Sequence, residues 1–167
     1  MSKIGIFFGS TSGNTEELAE AVAKQFGIAG DDIHDVSSAD ENQMKDYDVL
    51  LLGSSTWGVG DLQDDWEDFL PKAAKLNLAD KKIAFFGCGD SFGHSDTFCN
   101  SLAKIKAGLS STGAEFIGAI SKEGYSYDET ECEEGDNVIG LLTDADNESE
   151  KTEERLGIWV KAVKAAI

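Results

Sequence analysis

At 167 residues the chain has the length of one compact domain, and a single domain over residues 1–167 is expected. Hydrophobic residues make up 41% and aromatics 9%, enough for a real core and an argument against intrinsic disorder. A net charge of −18 disfavours nucleic acid and anionic membrane surfaces as partners and favours a basic protein, although solubility alone accounts for such a charge equally well.

The amino-terminal MSKIGIFFGS carries too short an apolar run for a signal sequence or a membrane span. Its KIGIFFG (residues 3–9) reads as the first strand, followed by a helix with Leu18, Val22 and Phe26 in register and a stop at Gly27. DDIHDV (31–36) and YDVLLLG (47–53) supply the next two strands. Trp66, Phe69 and Leu70 mark a helix ahead of the only proline, Pro71, and KKIAFFG (81–87) forms the fourth strand. Phe98, Leu102 and Ile105 then fit a helix, and AEFIGAI (114–120) a fifth strand. Residues 122–147 break the rhythm: acidic, glycine-punctuated and interrupted by VIGLL (138–142), they read as an insertion beside the last strand. Leu156, Trp159, Val160, Val163 and Ile167 close the chain at helical spacing.

Apolar runs that are continuous rather than alternating belong to parallel strands buried on both faces, and the alternation of strand with helix predicts a doubly wound five-stranded α/β sheet with helices on both faces. Ligands of such sheets sit beyond the carboxyl ends of the strands, which brings together residues 9–15, 53–60 and 87–94. The first loop offers the hydroxyls of Ser10, Thr11, Ser12 and Thr15 at the start of a helix but no lysine, and it fails the GxxxxGK[ST] spacing. Nucleotide hydrolysis is therefore not expected; a phosphate held by backbone N–H groups and hydroxyls is, with a simple helix-capping turn as the alternative. No GxGxxG fingerprint follows the first strand.

Cys88, Cys99 and Cys132 form no CxxC pair, and with two scattered histidines they provide no metal-ligand spacing, so no metal is expected and a reduced, cytoplasmic setting is. Nor is there a Ser/His/Asp, Cys/His or paired-carboxylate arrangement that calls for catalytic residues.

GSTSGNTE after the first strand, STWGVGDLQDDW after the third and FGCGDSFGHSDTFC after the fourth resemble the flavodoxins. The acidic tract near the carboxyl end is similar to the insertion of the long-chain members. The resemblance spans essentially the whole chain and implies the flavodoxin-like fold with strand order 2-1-3-4-5, noncovalently bound FMN and low-potential one-electron transfer between redox proteins. Carried over by position, Ser10, Thr11, Ser12, Gly13, Asn14 and Thr15 hold the FMN phosphate. Thr56, Trp57, Gly58, Val59 and Gly60 border the isoalloxazine, with Trp57 as its aromatic wall, Cys88, Gly89 and Asp90 lie along the other edge, and Ser54 and Ser55 are counted among the cofactor-binding residues. Trp57 beside a glycine in a loop suits stacking on a flat ligand, and Gly58 suits the family's peptide flip on flavin reduction. Where many long-chain flavodoxins place a stacking tyrosine this sequence has His94, with Phe92 as the alternative cover; a stacked His94 would ease full reduction as pH falls.

The resemblance also gives the acids a use. A carboxylate about 8 Å from the flavin, at an effective dielectric near 20, opposes an added electron by about 2 kcal/mol, or on the order of 90 mV. Asp61, Asp64, Asp65, Asp90, Asp144 and Asp146 are the candidates, and the same charges would steer a reductase or an acceptor that docks through a basic surface, with a monomer as the default state. Two other functions fit the architecture less well. An FMN-dependent NAD(P)H quinone or azo reductase needs a basic pocket where these loops are acidic, and a phosphate-receiver module needs aspartates where Gly9-Ser10 and Gly53-Ser54 stand.

Overall fold

The computed structural model describes residues 3–10, 13–57, 61–94, 96–145 and 147–167, with the Trp57 side chain outside that description. Strand β1 (Ile4–Gly9) leads into helix α1 (Asn14–Phe26), and β2 (Ile33–Asp35), β3 (Val49–Trp57) and a short β4 (Asp61–Leu62) precede α2 (Asp64–Ala73). There follow β5 (Lys82–Cys88), α3 (Asn100–Leu109), β6 (Glu115–Phe116), β7 (Ile120–Ser121), β8 (Glu133–Glu134), β9 (Asn137–Val138), β10 (Leu141–Thr143) and α4 (Thr152–Ala166).

The sheet runs β2-β1-β3-β5-β10, all parallel, with chain order reversing between β1 and β3, as sequence analysis expected. Helices α1 and α4 pack together on one face and α2 and α3 on the other. Ile6, Phe7, Leu50, Leu51, Leu52, Phe85 and Phe86 are fully buried between these layers, which is why their runs are apolar without alternation. On α1, Thr15, Leu18, Ala19, Val22 and Ala23 form the buried stripe at helical spacing, and Gly27 ends the helix at φ 68°, its N–H donating to the Ala23 carbonyl.

Three boundaries differ from expectation. The fifth strand is divided: Glu115 and Phe116 pair with Lys82 and Ile83 at the start of β5, and Leu141 to Thr143 pair with Phe86 to Cys88 at its end. Gly118, at φ +84°, turns the chain out of the sheet between these halves, so AEFIGAI is not one strand. The excursion builds a separate antiparallel sheet, β7-β9-β8, and the end of VIGLL is sheet strand rather than insertion. Strand β3 continues to Trp57 because Thr56 and Trp57 pair antiparallel with Leu62 and Asp61. Finally, α2 runs through Pro71 for its last residues instead of stopping before it.

Candidate functional site

The parallel register brings the ends of three strands side by side. Gly9 is opposite Ser54, Ser54 opposite Gly87 and Ser55 opposite Cys88, so the segments that leave β1, β3 and β5 start from one edge at the point of reversed order. Ser54, Ser55, Thr56 and Trp57 are therefore strand residues, a correction to their placement in a loop; the β3–β4 pairing extends the strand through them.

Helix α1 begins behind Gly13, which sits at φ +96° with no side chain capping the helix among the described residues. Ser10 Oγ accepts from the Gly13 N–H at 3.1 Å, shaping the turn. Thr15 is 1% exposed, and its hydroxyl has no hydrogen-bond partner among the described residues; the buried Ser55 hydroxyl likewise has none. Buried hydroxyls without partners are costly, and a helix start without a side-chain cap attracts negative charge. This donor set fits an anion of the phosphate type without any cation. Asn14 and Cys88 line a common cavity of about 240 Å³ with Leu18 and Thr143, so first and third segments meet in space.

The remaining expected residues divide. Ser54 donates to the Ser55 carbonyl at 2.9 Å, and the Thr56 hydroxyl is 2.7 Å from that of Ser101 on α3, so these side chains tie the edge to the scaffold. Gly89 donates to the Thr143 carbonyl at 2.9 Å, and a Cβ there would press on Cys99 and Phe98. Cys88 is buried, near the Thr143 hydroxyl at 3.4 Å. His94 is exposed on the turn begun by Asp90, its N–H donating to the Asp90 carbonyl at 3.1 Å, and Phe92 in the same turn is 84% exposed. Thr11, Ser12, Gly58, Val59, Gly60, Asp146 and the Trp57 side chain lie outside the described residues.

The acids are not equivalent. Asp61 is 3.8 Å from Lys104, while Asp65 accepts from Gln63 at 2.8 Å. Asp144, one of the charges expected around the ring, is fully buried. Burial pushes its carboxyl up, but hydrogen bonds from Ser91 and Asn147 outweigh that and hold it below the ordinary value. The Gly93 N–H, with help from Asn147 and Phe92, keeps Asp90 below its ordinary value against burial and the neighbouring Asp144.

Sequence reasoning missed Ser91, Asn147 and the role of Trp66. The Trp66 indole is fully buried and donates to the Gly53 carbonyl at 2.7 Å, and a Cβ on Gly9 would run into Gln63 and this ring. Glycine at position 9 was the available signal, since it leaves room for this ring at the strand end.

The family model described as Flavodoxin matches residues 6–159. The chain belongs to the flavodoxin family. It is 40% identical to a flavodoxin of Picosynechococcus sp. over 169 aligned residues, covering 99% of this chain and 98% of that protein. It is 38% identical to Flavodoxin 1 of Salmonella typhimurium, covering 100% of this chain and 96% of that protein. Among solved structures it is similar to the Fusobacterium nucleatum flavodoxin bound to flavin mononucleotide, with TM-score 0.91, 25% identity and coverage of 100% and 99% of the two chains. The flavodoxin-like fold expected from sequence is thus the fold observed, with the fifth strand split as described above. Among the described residues, no helix is long and apolar enough to cross a membrane.

Proposed function

We propose that this chain is a low-potential one-electron carrier that holds FMN noncovalently across the three strand ends and passes electrons between redox proteins. One observation carries the reading: a helix start and a buried Thr15 hydroxyl that both lack a side-chain partner among the described residues, at the point of reversed strand order, in a flavodoxin-family chain. The flavodoxin of Fusobacterium nucleatum, which shares the fold along its whole length, is bound to FMN.

In this reading residues 1–167 are one FMN-binding domain. Ser10, Thr11, Ser12, Gly13, Asn14 and Thr15 hold the phosphate. Ser54, Ser55, Thr56, Trp57, Gly58, Val59 and Gly60 form one side of the ring site, and Cys88, Gly89, Asp90 and His94 the other. FMN, when bound, supplies the one-electron chemistry. The chain's own residues bind and orient it, exclude water and surround it with carboxylates that oppose added negative charge. Burial pushes the Cys99 thiol well up and that of Cys132 up to about 12, which supports a structural rather than redox use of these cysteines and a reduced, cytoplasmic setting. Net charge −18 supports docking to partners through basic surfaces, with rates that fall as salt rises.

Titration of the apoprotein with FMN followed by anaerobic stepwise reduction tests the proposal. Expected are quenching of flavin fluorescence and reduction in two resolved one-electron stages. A protein that binds no FMN, or that oxidises NADPH without a partner protein, overturns it.

A further inference from the structure

The turn that follows β5 is held from the far side of the insertion by two side chains, Asp144 on Ser91 and Asn147 on Asp90. Asn147 Nδ2 donates to Asp90 Oδ1 at 2.8 Å and to Asp144 Oδ2 at 2.9 Å, while its backbone N–H donates to Asp144 Oδ1 at 2.9 Å. Asp144 Oδ2 also takes the Ser91 N–H at 2.7 Å and the Ser91 hydroxyl at 2.6 Å, and Asp90 Oδ1 takes the N–H groups of Phe92 at 3.0 Å and Gly93 at 2.7 Å. Two carboxylates from separate loops therefore share one amide, each receiving a donor where direct contact would be repulsive.

The base of this clamp is itself fixed. The Glu148 N–H closes a turn onto the Asp144 carbonyl at 2.9 Å, and the buried Glu148 carboxylate is tied to Arg155 at 3.2 Å and Lys151 at 2.9 Å. A neutral amide suits the position because it supplies donors without adding charge. Alanine would remove them, and aspartate would place a third carboxylate against the two already there.

We propose that Asn147 is a positioning residue for the flavin: by bridging Asp90 and Asp144 it pre-forms the turn carrying Asp90, Phe92 and His94, so that FMN binding does not have to order it. This rests on the FMN reading above. The gain is pre-organisation, since a turn already ordered costs nothing further on binding.

The test uses apoprotein of the full chain, titrated separately with FMN and riboflavin for wild type, Asn147→Ala, Asp90→Ala and the double variant, with amide exchange followed in each apoprotein. Asn147→Ala should weaken both ligands about tenfold, equivalent to about 1.4 kcal/mol, because the clamp serves the ring side and not the phosphate. In the Asp90→Ala background the same change should cost less than about twofold, since the two residues act as one unit. Exchange should accelerate at the Ser91, Phe92 and Gly93 amides while that of Leu50 in the central strand stays unchanged. If Asn147→Ala does not fold, Asn147→Ser, which keeps one donor, should show the same pattern at smaller size. Unchanged affinity, or a loss that persists in full beside Asp90→Ala, overturns the inference while leaving FMN binding intact. Failure of the wild-type chain to bind FMN overturns the proposed function itself.

Discussion

Thr15→Val should move stability and FMN affinity in opposite directions. The substitution keeps the shape of a side chain that is 1% exposed and removes a hydroxyl with no partner among the described residues. An unsatisfied buried polar group costs about 1–3 kcal/mol, so the valine apoprotein should gain much of that amount. In a chain of this size each kcal/mol raises the melting temperature by about 2–4 °C. In the proposed FMN complex the same hydroxyl would donate to a charged phosphate, an interaction of about 1.5–3 kcal/mol, so the variant should bind FMN roughly 10- to 150-fold more weakly. Riboflavin, which lacks the phosphate, should bind wild type and variant alike. Thermal melts of both apoproteins and fluorescence titrations with both flavins give the answer. A less stable valine apoprotein, or an equal loss of riboflavin and FMN affinity, would refute the reasoning.

Burial lowers the His34 pKa from its ordinary value of 6.5, with its Nε2 2.7 Å from the Tyr47 hydroxyl, so the folded state favours neutral imidazole. Its contribution is therefore complete above about pH 6.5 and is lost as pH falls towards the folded value; urea melts should show wild type losing more stability than His34→Gln between pH 7.5 and 5.5. Arg155 is 6% exposed and holds both the Gly124 carbonyl at 3.0 Å and Glu148 at 3.2 Å. Arg155→Ala should cost about 3–5 kcal/mol in the same assay, because it breaks a buried pair. Phe92, at 84% exposure, and His94 are the two candidates to cover the outer face of the proposed flavin. If His94 is the cover, His94→Ala should weaken FMN binding several-fold and Phe92→Ala by less than about twofold, a ratio that fluorescence titration reads directly.

Much of this architecture was legible because burial on both faces leaves a simple mark. KIGIFFG, YDVLLLG and KKIAFFG are uninterrupted apolar runs, and each became a central strand. The fifth strand was not legible as such, because its halves are two and three residues long and owe their place to pairing with β5 and not to their own composition. The extension of β3 through Ser54 to Trp57 escaped for a similar reason: small polar residues read as loop until a partner strand holds them. Of the candidate site, the turn between β1 and α1 was visible as a density of hydroxyls after a strand. The Asn147 clamp was not, since Asp90 and Asn147 meet only through the tertiary fold, and an acidic tract gives no sign that one member, Asp144, turns inward.

The insertion bears on the same turn from a second direction. Cys99, which starts α3 just beyond it, has φ 54°, a left-handed conformation that costs a non-glycine residue roughly 1–2 kcal/mol. A residue stays there only where its surroundings over-determine it, and here the surroundings come from the insertion. The Phe98 N–H donates to the Glu129 carbonyl at 3.3 Å, the Glu131 N–H to Asn100 Oδ1 at 2.8 Å and the Cys132 thiol to the Cys99 carbonyl at 3.1 Å, while the Thr130 hydroxyl bonds the Phe98 carbonyl. The turn from Asp90 to His94 is thus gripped by Asn147 and the stretch from Phe98 to Asn100 by residues 129–132. The strain at Cys99 lets the chain leave the strand end, form the exposed Phe92–His94 tip and still re-enter the core within one short segment. An insertion whose polar contacts converge on that segment serves first as a brace for the candidate site, and any contact it makes with a partner protein is built on that framework.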